Sequence, residues 1–222
     1  QRHVIYLHVD AAWAGSALVL PAWRWMIEGI EAVDSFAFNP HKWLFTNFDC
    51  CAHFVRSGED LVRTLDILPA YLKTREGNEV IDYRNWGVPL GRRFRALKLW
   101  FVLRSYGVAE IRRRIAAHID MAREAADWVA AAPDFEILAP LSLALFNFRY
   151  HPPGMDDEGE LDRLNETLLL KLNDSGDLYL TQNRVRGVYA IRFAVGQTYT
   201  QPRHVAAAWR AIQDTARNLS SI

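Results

Sequence analysis

The sequence predicts an α/β fold in its first half and an α+β unit in its second half. The first observation is a set of apolar, β-prone runs without polar alternation, the first of which ends at Asp10. Such runs, separated by helical segments, are typical of a parallel sheet buried on both faces. The second observation is a change of order after residue 109, to helix, strand, strand, helix, strand, strand, helix, which indicates an α+β layout.

In the first half we predict strands at 4–9, 35–38 and 50–55 and a helix over 21–31. The stretch LDILPAYLKTREGNEVIDYRNWGVPLG, which begins at residue 65, contains two prolines and three glycines and has no sustained period. A long irregular segment of this kind in a compact domain is usually functional or disordered. A helix over 92–106 should end at Gly107, because glycine readily caps a helix.

In the second half, helices are predicted over 109–131, around 161–172 and over 202–219, each from an apolar stripe at helical spacing. The last of them carries Val205, Trp209, Ile212 and Ala216. Strands are predicted at 135–138, 143–150, 178–181 and 188–195. We therefore expect two domains, residues 1–100 and residues 101–222.

Composition narrows the function classes. Lys and Arg together number 26, as do Asp and Glu, so no basic surface points to nucleic acid or to a membrane. No apolar run approaches the ~20 residues that span a bilayer. The two cysteines, Cys50 and Cys51, are adjacent and form no CxxC pair, so neither a structural disulfide nor a metal site is expected. A cytoplasmic, reducing setting is the expectation.

Two residues suggest chemistry when they are considered together. Asp10 ends a strand where open α/β sheets bind ligands, although a cap or turn role is the ordinary alternative. Lys42 stands in FNPHKWLFTNFDCC, where apolar neighbours should desolvate the amine, lower its pKa and favour attack on carbonyl compounds. The ordinary alternative is a lysine whose stem lies along the apolar surface. Pyridoxal 5'-phosphate (PLP) needs a lysine for its aldehyde and an acid for its pyridine nitrogen.

Two segments carry a family resemblance: HVDAAWAGSA (8–17) and NPHKWL (39–44). They resemble the signature segments of the group II PLP-dependent decarboxylases of the aromatic-L-amino-acid type. The similarity continues through NFDC (47–50), LPAYLK (68–73) and residues 82–107 to the C-terminal end. It implies PLP-dependent transferase fold type I, the aspartate-aminotransferase-like fold, with an incomplete large domain followed by the small C-terminal domain.

The resemblance assigns cofactor residues one by one. Lys42 matches the lysine that holds PLP as a Schiff base, and Asp10 matches the aspartate at the pyridine nitrogen. Ala12 matches the small residue against the ring. Asn39 and His41 match residues near the cofactor, with Asn39 towards the phosphate.

The resemblance also assigns catalytic and substrate residues. Tyr71 matches the tyrosine of a mobile catalytic loop, about 65–80, which is implied to return a proton to the substrate; relatives with Phe there form an aldehyde. Phe48 matches a residue of the aromatic pocket. Gly91 matches a position contributed by the neighbouring subunit, where glycine leaves room for indoles as well as phenols. Trp13 departs from the Tyr of many animal relatives.

The implied protein is a homodimer that decarboxylates Trp, Tyr, Dopa or Phe to the amine and CO2. The family is about twice as long as this chain, so we expect a C-terminal part without the N-terminal arm, the phosphate-binding turn or the histidine that stacks on PLP. These 222 residues alone should therefore bind PLP poorly and be inactive. The alternatives are a decarboxylase of an acidic amino acid such as glutamate, or a fragment that serves only in folding and dimerisation.

Overall fold

The computed structural model describes residues 5–65 and 81–220, and the chain divides into two compact units, residues 1–108 and 109–222. Within the described ranges, no helix has both the length and the apolar character needed to cross a bilayer.

The first unit contains a three-stranded sheet of β1 (His8–Asp10), β2 (Ser35–Phe38) and β3 (Ala52–Val55), in that order. Strands β1 and β2 are parallel, as predicted, and Asp10 lies opposite Ala37. Strand β3 is antiparallel to β2, so the prediction of a wholly parallel sheet is wrong. The reason is the short connection: the helix after β2 has a single turn, and the chain re-enters the sheet from the end at which it left.

The two faces of this sheet differ in chemistry. The rings of Phe36, Phe38 and Phe54 lie 6.2–6.4 Å apart on one face. On the other face, Nδ1 of His8 lies 2.6 Å from Oγ of Ser35. His8 and Phe54 are both exposed, so the sheet is not buried on both faces among the residues described, contrary to the prediction.

The helices of the first unit are short. The predicted helix over 21–31 is instead two 3₁₀ helices, Pro21–Ile27 and Ile30–Ala32, separated by Gly29 at a φ of 85°. Helix α1 spans Pro40–Trp43 and α2 spans Gly58–Leu65; further 3₁₀ helices cover Ala14–Val19 and Tyr83–Trp86. Helix α3 (Arg95–Ala131) is broken at Gly107, whose φ of 70° confirms the glycine break expected there.

The second unit follows the predicted order. Its four-stranded antiparallel sheet has the order β4-β5-β7-β6, and helix α4 lies between the two strand pairs in sequence. The bounds are β4 Phe135–Ser142, β5 Leu145–Tyr150, α4 Glu158–Asp174, β6 Thr181–Val185, β7 Val188–Ala194 and α5 Pro202–Ser220. Strand β6 begins three residues after its predicted start and ends four residues after its predicted end, and β4 runs four residues past its predicted end; the remaining bounds agree to within three residues.

The core of this unit lies between the sheet and the helices. Phe146, Phe148 and Ile191 are fully buried, and the ring of Phe135 meets that of Trp209 on α5 at 4.9 Å. Every apolar residue predicted for the inward stripe of α5 is buried. Burial of these stripes accounts for most of the stability of such helices.

Two asparagines on α4 pair with peptide groups as a neighbouring strand would. Asn165 is fully buried; its Oδ1 accepts from Tyr150 N at 2.7 Å, and its Nδ2 donates to Tyr150 O at 2.8 Å. Asn173 makes the same pair of bonds to Leu180, at 2.9 Å and 3.0 Å, but it is only half-buried. Both side chains satisfy peptide groups that the sheet leaves unpaired.

His118 of α3 is 2% exposed and lines a cavity of about 530 Å³ beside the residues that lead into α5. Burial, aided by the nearby positive charge of Arg114, lowers the pKa of His118 from 6.5 to about 4. The ring is therefore neutral at physiological pH.

Exposed apolar side chains are unevenly distributed between the units. Of the nineteen large apolar residues that are exposed in the described part of the chain, sixteen lie in the first unit. Among them are Phe94, Trp100 and Phe101, near the start of α3. Large apolar side chains exposed in this number are typical of surfaces that make contacts with other protein.

Candidate active site

The site is built on the ends of β1 and β2. Because these strands are parallel, their carboxyl ends meet at one edge of the sheet, where Asp10 ends β1 and Asn39 follows β2. Two backbone hydrogen bonds continue the pairing beyond the strands, from Ala11 N to Ala37 O and from Asn39 N to Ala12 O, both at 2.8 Å. Oδ1 of Asp10 accepts from Ala12 N at 2.9 Å, which orients the carboxylate within the turn.

Lys42 lies on α1, one turn after β2. Pro40 begins this helix, where its fixed φ suits the first helical position, and Trp43 ends it. Pro40 and Trp43 are buried, whereas Lys42 is exposed. The prediction that apolar neighbours desolvate Lys42 is therefore wrong for the structure described, because those neighbours point inward and leave the lysine at the rim.

His41 ties α1 to the segment that leads into β3. Its Nδ1 lies 2.9 Å from Cys50 N and 2.7 Å from Cys50 O, so the Cys50 peptide fixes the ring. The edge of the ring meets the ring of Phe48 at 4.9 Å. Phe48 is 84% exposed, so it presents an aromatic surface beside His41 without forming an enclosed pocket.

A second contact joins the two signature segments. The rings of Trp13 and Trp43 are stacked, with centroids 4.2 Å apart and planes 6° from parallel. Trp43 is fully buried and Trp13 half-buried. The sequence marks Trp13 as a departure from the family but does not predict its partner, which lies thirty residues later.

Cys51, an exposed residue that directly precedes β3, is influenced by both charged residues of the site. Partial burial raises the pKa of its thiol, the Asp10 carboxylate raises it further, and the Lys42 ammonium lowers it. The thiol therefore lies within electrostatic range of both charged residues, which supports a common location for Asp10 and Lys42. The adjacency of Cys50 and Cys51 in the sequence indicates a reducing setting and nothing about this site.

Other predicted site residues are placed as follows. Ala12 lies half-buried in the turn after Asp10. Gly91 is exposed, and a Cβ added to it would meet no atom within 4 Å. Tyr71 and most of the predicted loop lie outside the described residues. No group of three or more His, Cys, Asp or Glu that could hold a metal ion occurs in residues 5–65 and 81–220.

Comparison with known proteins gives the same picture of the chain. Residues 1–151 match the model of the pyridoxal-dependent decarboxylase conserved domain. The chain is 45% identical to tyrosine decarboxylase 1 of Narcissus pseudonarcissus, covering 99% of this chain and 44% of that protein. It is 44% identical to tryptophan decarboxylase TDC2 of Camptotheca acuminata, covering 96% of this chain and 43% of the relative.

The fold agrees with a solved structure. A crystal structure of Oryza sativa TDC with PLP and tryptamine superimposes with a TM-score of 0.90 at 38% identity, covering 97% of this chain and 45% of that one. The chain thus spans less than half the length of the relatives it matches. Since the domain model covers 151 of its 222 residues, the chain belongs to the pyridoxal-dependent decarboxylase family.

Proposed function

We propose that the protein containing this chain is a PLP-dependent carboxy-lyase that converts an aromatic L-amino acid into its amine and CO2. The observation that carries the proposal is the position of Asp10 and Lys42 at the carboxyl ends of two adjacent parallel strands. The tyrosine and tryptophan decarboxylases among the relatives support an aromatic substrate.

The residues at this edge fit PLP in their chemistry. Lys42 offers an exposed primary amine to the aldehyde, and Asp10 offers a carboxylate to the pyridine nitrogen. Asp10 ends β1 and Lys42 lies one turn after β2, so the parallel pairing of these strands brings both groups to the same edge of the sheet. When bound, PLP supplies an electron sink that stabilises the charge left as CO2 departs.

The proposed roles of the side chains follow from their chemistry. Asp10 holds a proton at the ring nitrogen, because its carboxylate stabilises the positive charge there. Lys42 holds the cofactor and gives it up to the substrate amine, and Ala12 leaves room beside the ring. His41, fixed by the Cys50 peptide, and Asn39 complete the cofactor site on this chain.

We propose the roles of the residues that contact the substrate from the chemistry of their side chains as well. Phe48 presents its ring to the aromatic group, and Gly91 leaves space for an indole. Tyr71 donates the proton that Cα receives after CO2 leaves, since a phenol can serve as a general acid. Closure of its loop, about 65–80, excludes water during that step.

The proposed fold is PLP-dependent transferase fold type I, with the cofactor domain ending near residue 100. The proposed assembly is a homodimer in which the second subunit contributes Gly91 to the site. The exposed apolar side chains of the first unit support burial against further protein. The cysteines are free thiols, which supports a cytoplasmic setting.

Sedimentation of the full-length protein tests the homodimer. The measured mass should be twice that of one full-length chain; the mass of a single chain would contradict the dimer.

Borohydride trapping tests the cofactor site. Borohydride reduces a C=N bond between PLP and an amine, so it should fix the cofactor on Lys42 in the full-length protein. Peptide mapping has an internal control, because the other lysines of the chain, Lys73, Lys98 and Lys171, should stay unlabelled. Lys42→Arg keeps the positive charge and should abolish both label and activity. Label on another lysine would overturn the proposal.

Substrate and product assays test the reaction. Trp, Tyr, Dopa and Phe should release CO2 and the amine, whereas glutamate should not exceed background; the opposite order would favour the acidic-substrate alternative. Tyr71→Phe should shift the product from amine towards aldehyde in the presence of oxygen. An unchanged amine yield in that variant would remove Tyr71 from the reaction.

A further inference from the structure

The strongest unexplained contact near the site is the stack of Trp13 on Trp43. Trp13 follows Asp10 by three residues, and Trp43 directly follows Lys42, so the stack links the segments that carry the two charged residues. Nearly parallel rings with centroids 4.2 Å apart form one of the favoured aromatic geometries.

Helix α1 cannot hold its own orientation. It has four residues, and its intrinsic bonds are few: Lys42 N donates to Asn39 O at 2.9 Å, and Leu44 N donates to Pro40 O at 3.0 Å. A single helical turn is unstable without tertiary contacts, because nucleation costs more than one turn returns. The direction of Lys42 therefore depends on the side chains that anchor α1.

Two anchors hold this turn from different sides. His41 is fixed by the Cys50 peptide, and Trp43 is inserted in the core against Trp13. Consecutive residues of a helix point about 100° apart, so with Trp43 held inward Lys42 is turned outward to the rim, as observed. In the described part of the chain, the backbone bonds between the two segments reach Asn39, and the stack adds a side-chain contact one turn further on.

We propose that Trp13 is a positioning residue for Lys42: by stacking on Trp43 it fixes the rotation of α1 and holds the lysine amine towards the edge that carries Asp10. The inference rests on the proposed function, in which Lys42 receives the cofactor. Tyrosine or phenylalanine at residue 13 would keep part of the stack, whereas an aliphatic residue would remove it.

The test compares Trp13→Leu and Trp13→Tyr in the full-length protein, with Trp25→Leu as a matched control, since Trp25 is exposed and forms no part of this stack. The cofactor-free protein is measured first. Stacked indoles couple their electronic transitions, so Trp13→Leu should lose the exciton signal of this stack in circular dichroism. Trp25→Leu should retain that signal and lose only the contribution of Trp25 and Trp23, whose rings are tilted and 6.3 Å apart. Retention of the signal in Trp13→Leu would refute the stack itself.

The second measurement is the rate at which added PLP attaches to Lys42. Attachment is detected by borohydride reduction, and the rate is divided by the folded fraction of the protein. Loss of one stacking contact should slow capture about 2- to 12-fold in Trp13→Leu. Trp13→Tyr should recover most of that loss. A purely structural role would lower the folded fraction but leave the rate per folded molecule unchanged, and that result would overturn the inference.

The outcomes separate this inference from the proposed function. If the unaltered protein fixes no PLP on Lys42, both are wrong. If it does so and Trp13→Leu matches it in rate, only the positioning role is wrong. Should Trp13→Leu fail to fold, Trp13→Met, which fills the space without a ring, takes its place with the same expected slowing.

Discussion

Replacement of Asn165 by alanine should destabilise the second unit far more than the same change at Asn173. Both side chains lie on α4, and both pair with the N–H and C=O of one residue. They differ in burial: Asn165 is fully buried, and Asn173 is half-buried. The comparison therefore isolates the cost of leaving peptide groups unpaired away from water.

The magnitude follows from the groups left behind. In Asn165→Ala the N–H and C=O of Tyr150 lose their partners in a buried setting, at about 1–3 kcal/mol each, or roughly 2–6 kcal/mol in total. The bond from Asn165 to Leu161 O adds little, because that oxygen belongs to a helix and keeps its backbone partner. In Asn173→Ala water can replace the side chain, so two bonds of about 0.5–1.5 kcal/mol each set the loss.

Native-state hydrogen exchange of peptides from β7 (Val188–Ala194) measures the difference, because this central strand exchanges on opening of the unit. Protection should fall in both variants. The midpoints of the two ranges, about 4 and about 2 kcal/mol, differ by about 2 kcal/mol, so protection should fall roughly 30-fold more in Asn165→Ala. Equal protection in the two variants, or the reverse order, would refute the claim that burial sets the cost.

Three further outcomes are expected. Gly15→Ala should cost about 1–3 kcal/mol and slow PLP capture, because its Cβ would lie 2.5 Å from Cβ of Phe38; unchanged melting and capture would contradict this. His118 has its pKa lowered from 6.5 to about 4, so its stabilising effect is complete above pH 6.5 and is lost as pH falls towards 4. Acid-unfolding curves should therefore flatten over that range in His118→Gln, and identical curves would exclude His118 as the cause. The 222-residue chain alone should bind PLP weakly by fluorescence titration, and tight, saturable binding would contradict that expectation.

The second unit could be predicted closely because its helices pack one apolar stripe each against a sheet. Helix α5 shows this pattern: apolar residues recur at helical spacing, and all four of their side chains are buried, namely Val205, Trp209, Ile212 and Ala216. The parallel pairing of β1 and β2 brings the strand ends beside Asp10 and Lys42 to one edge, as the order of elements predicted, whereas the roles of the two residues stay a prediction that rests on the family resemblance.

The features that the sequence did not predict depend on contacts between distant segments. The direction of β3 is set by the length of the preceding helix, which an apolar run does not encode. The exposure of Lys42 depends on which way a single turn faces, and its anchor, Trp13, comes from a segment thirty residues earlier. Cys51 carries no motif, and the influence of Asp10 and Lys42 on the pKa of its thiol is evident only once the chain is folded.

The uneven distribution of exposed apolar side chains has a consequence for mutational scans. A residue such as Phe94 or Trp100, exposed here, can be replaced by a polar residue in the isolated chain at little cost in stability and with a gain in solubility. In a full-length protein that covers this surface, the same replacement would bury a polar group and weaken assembly. A mutational scan of the short chain would therefore classify these positions as tolerant, although the full-length protein would be sensitive to the same replacements.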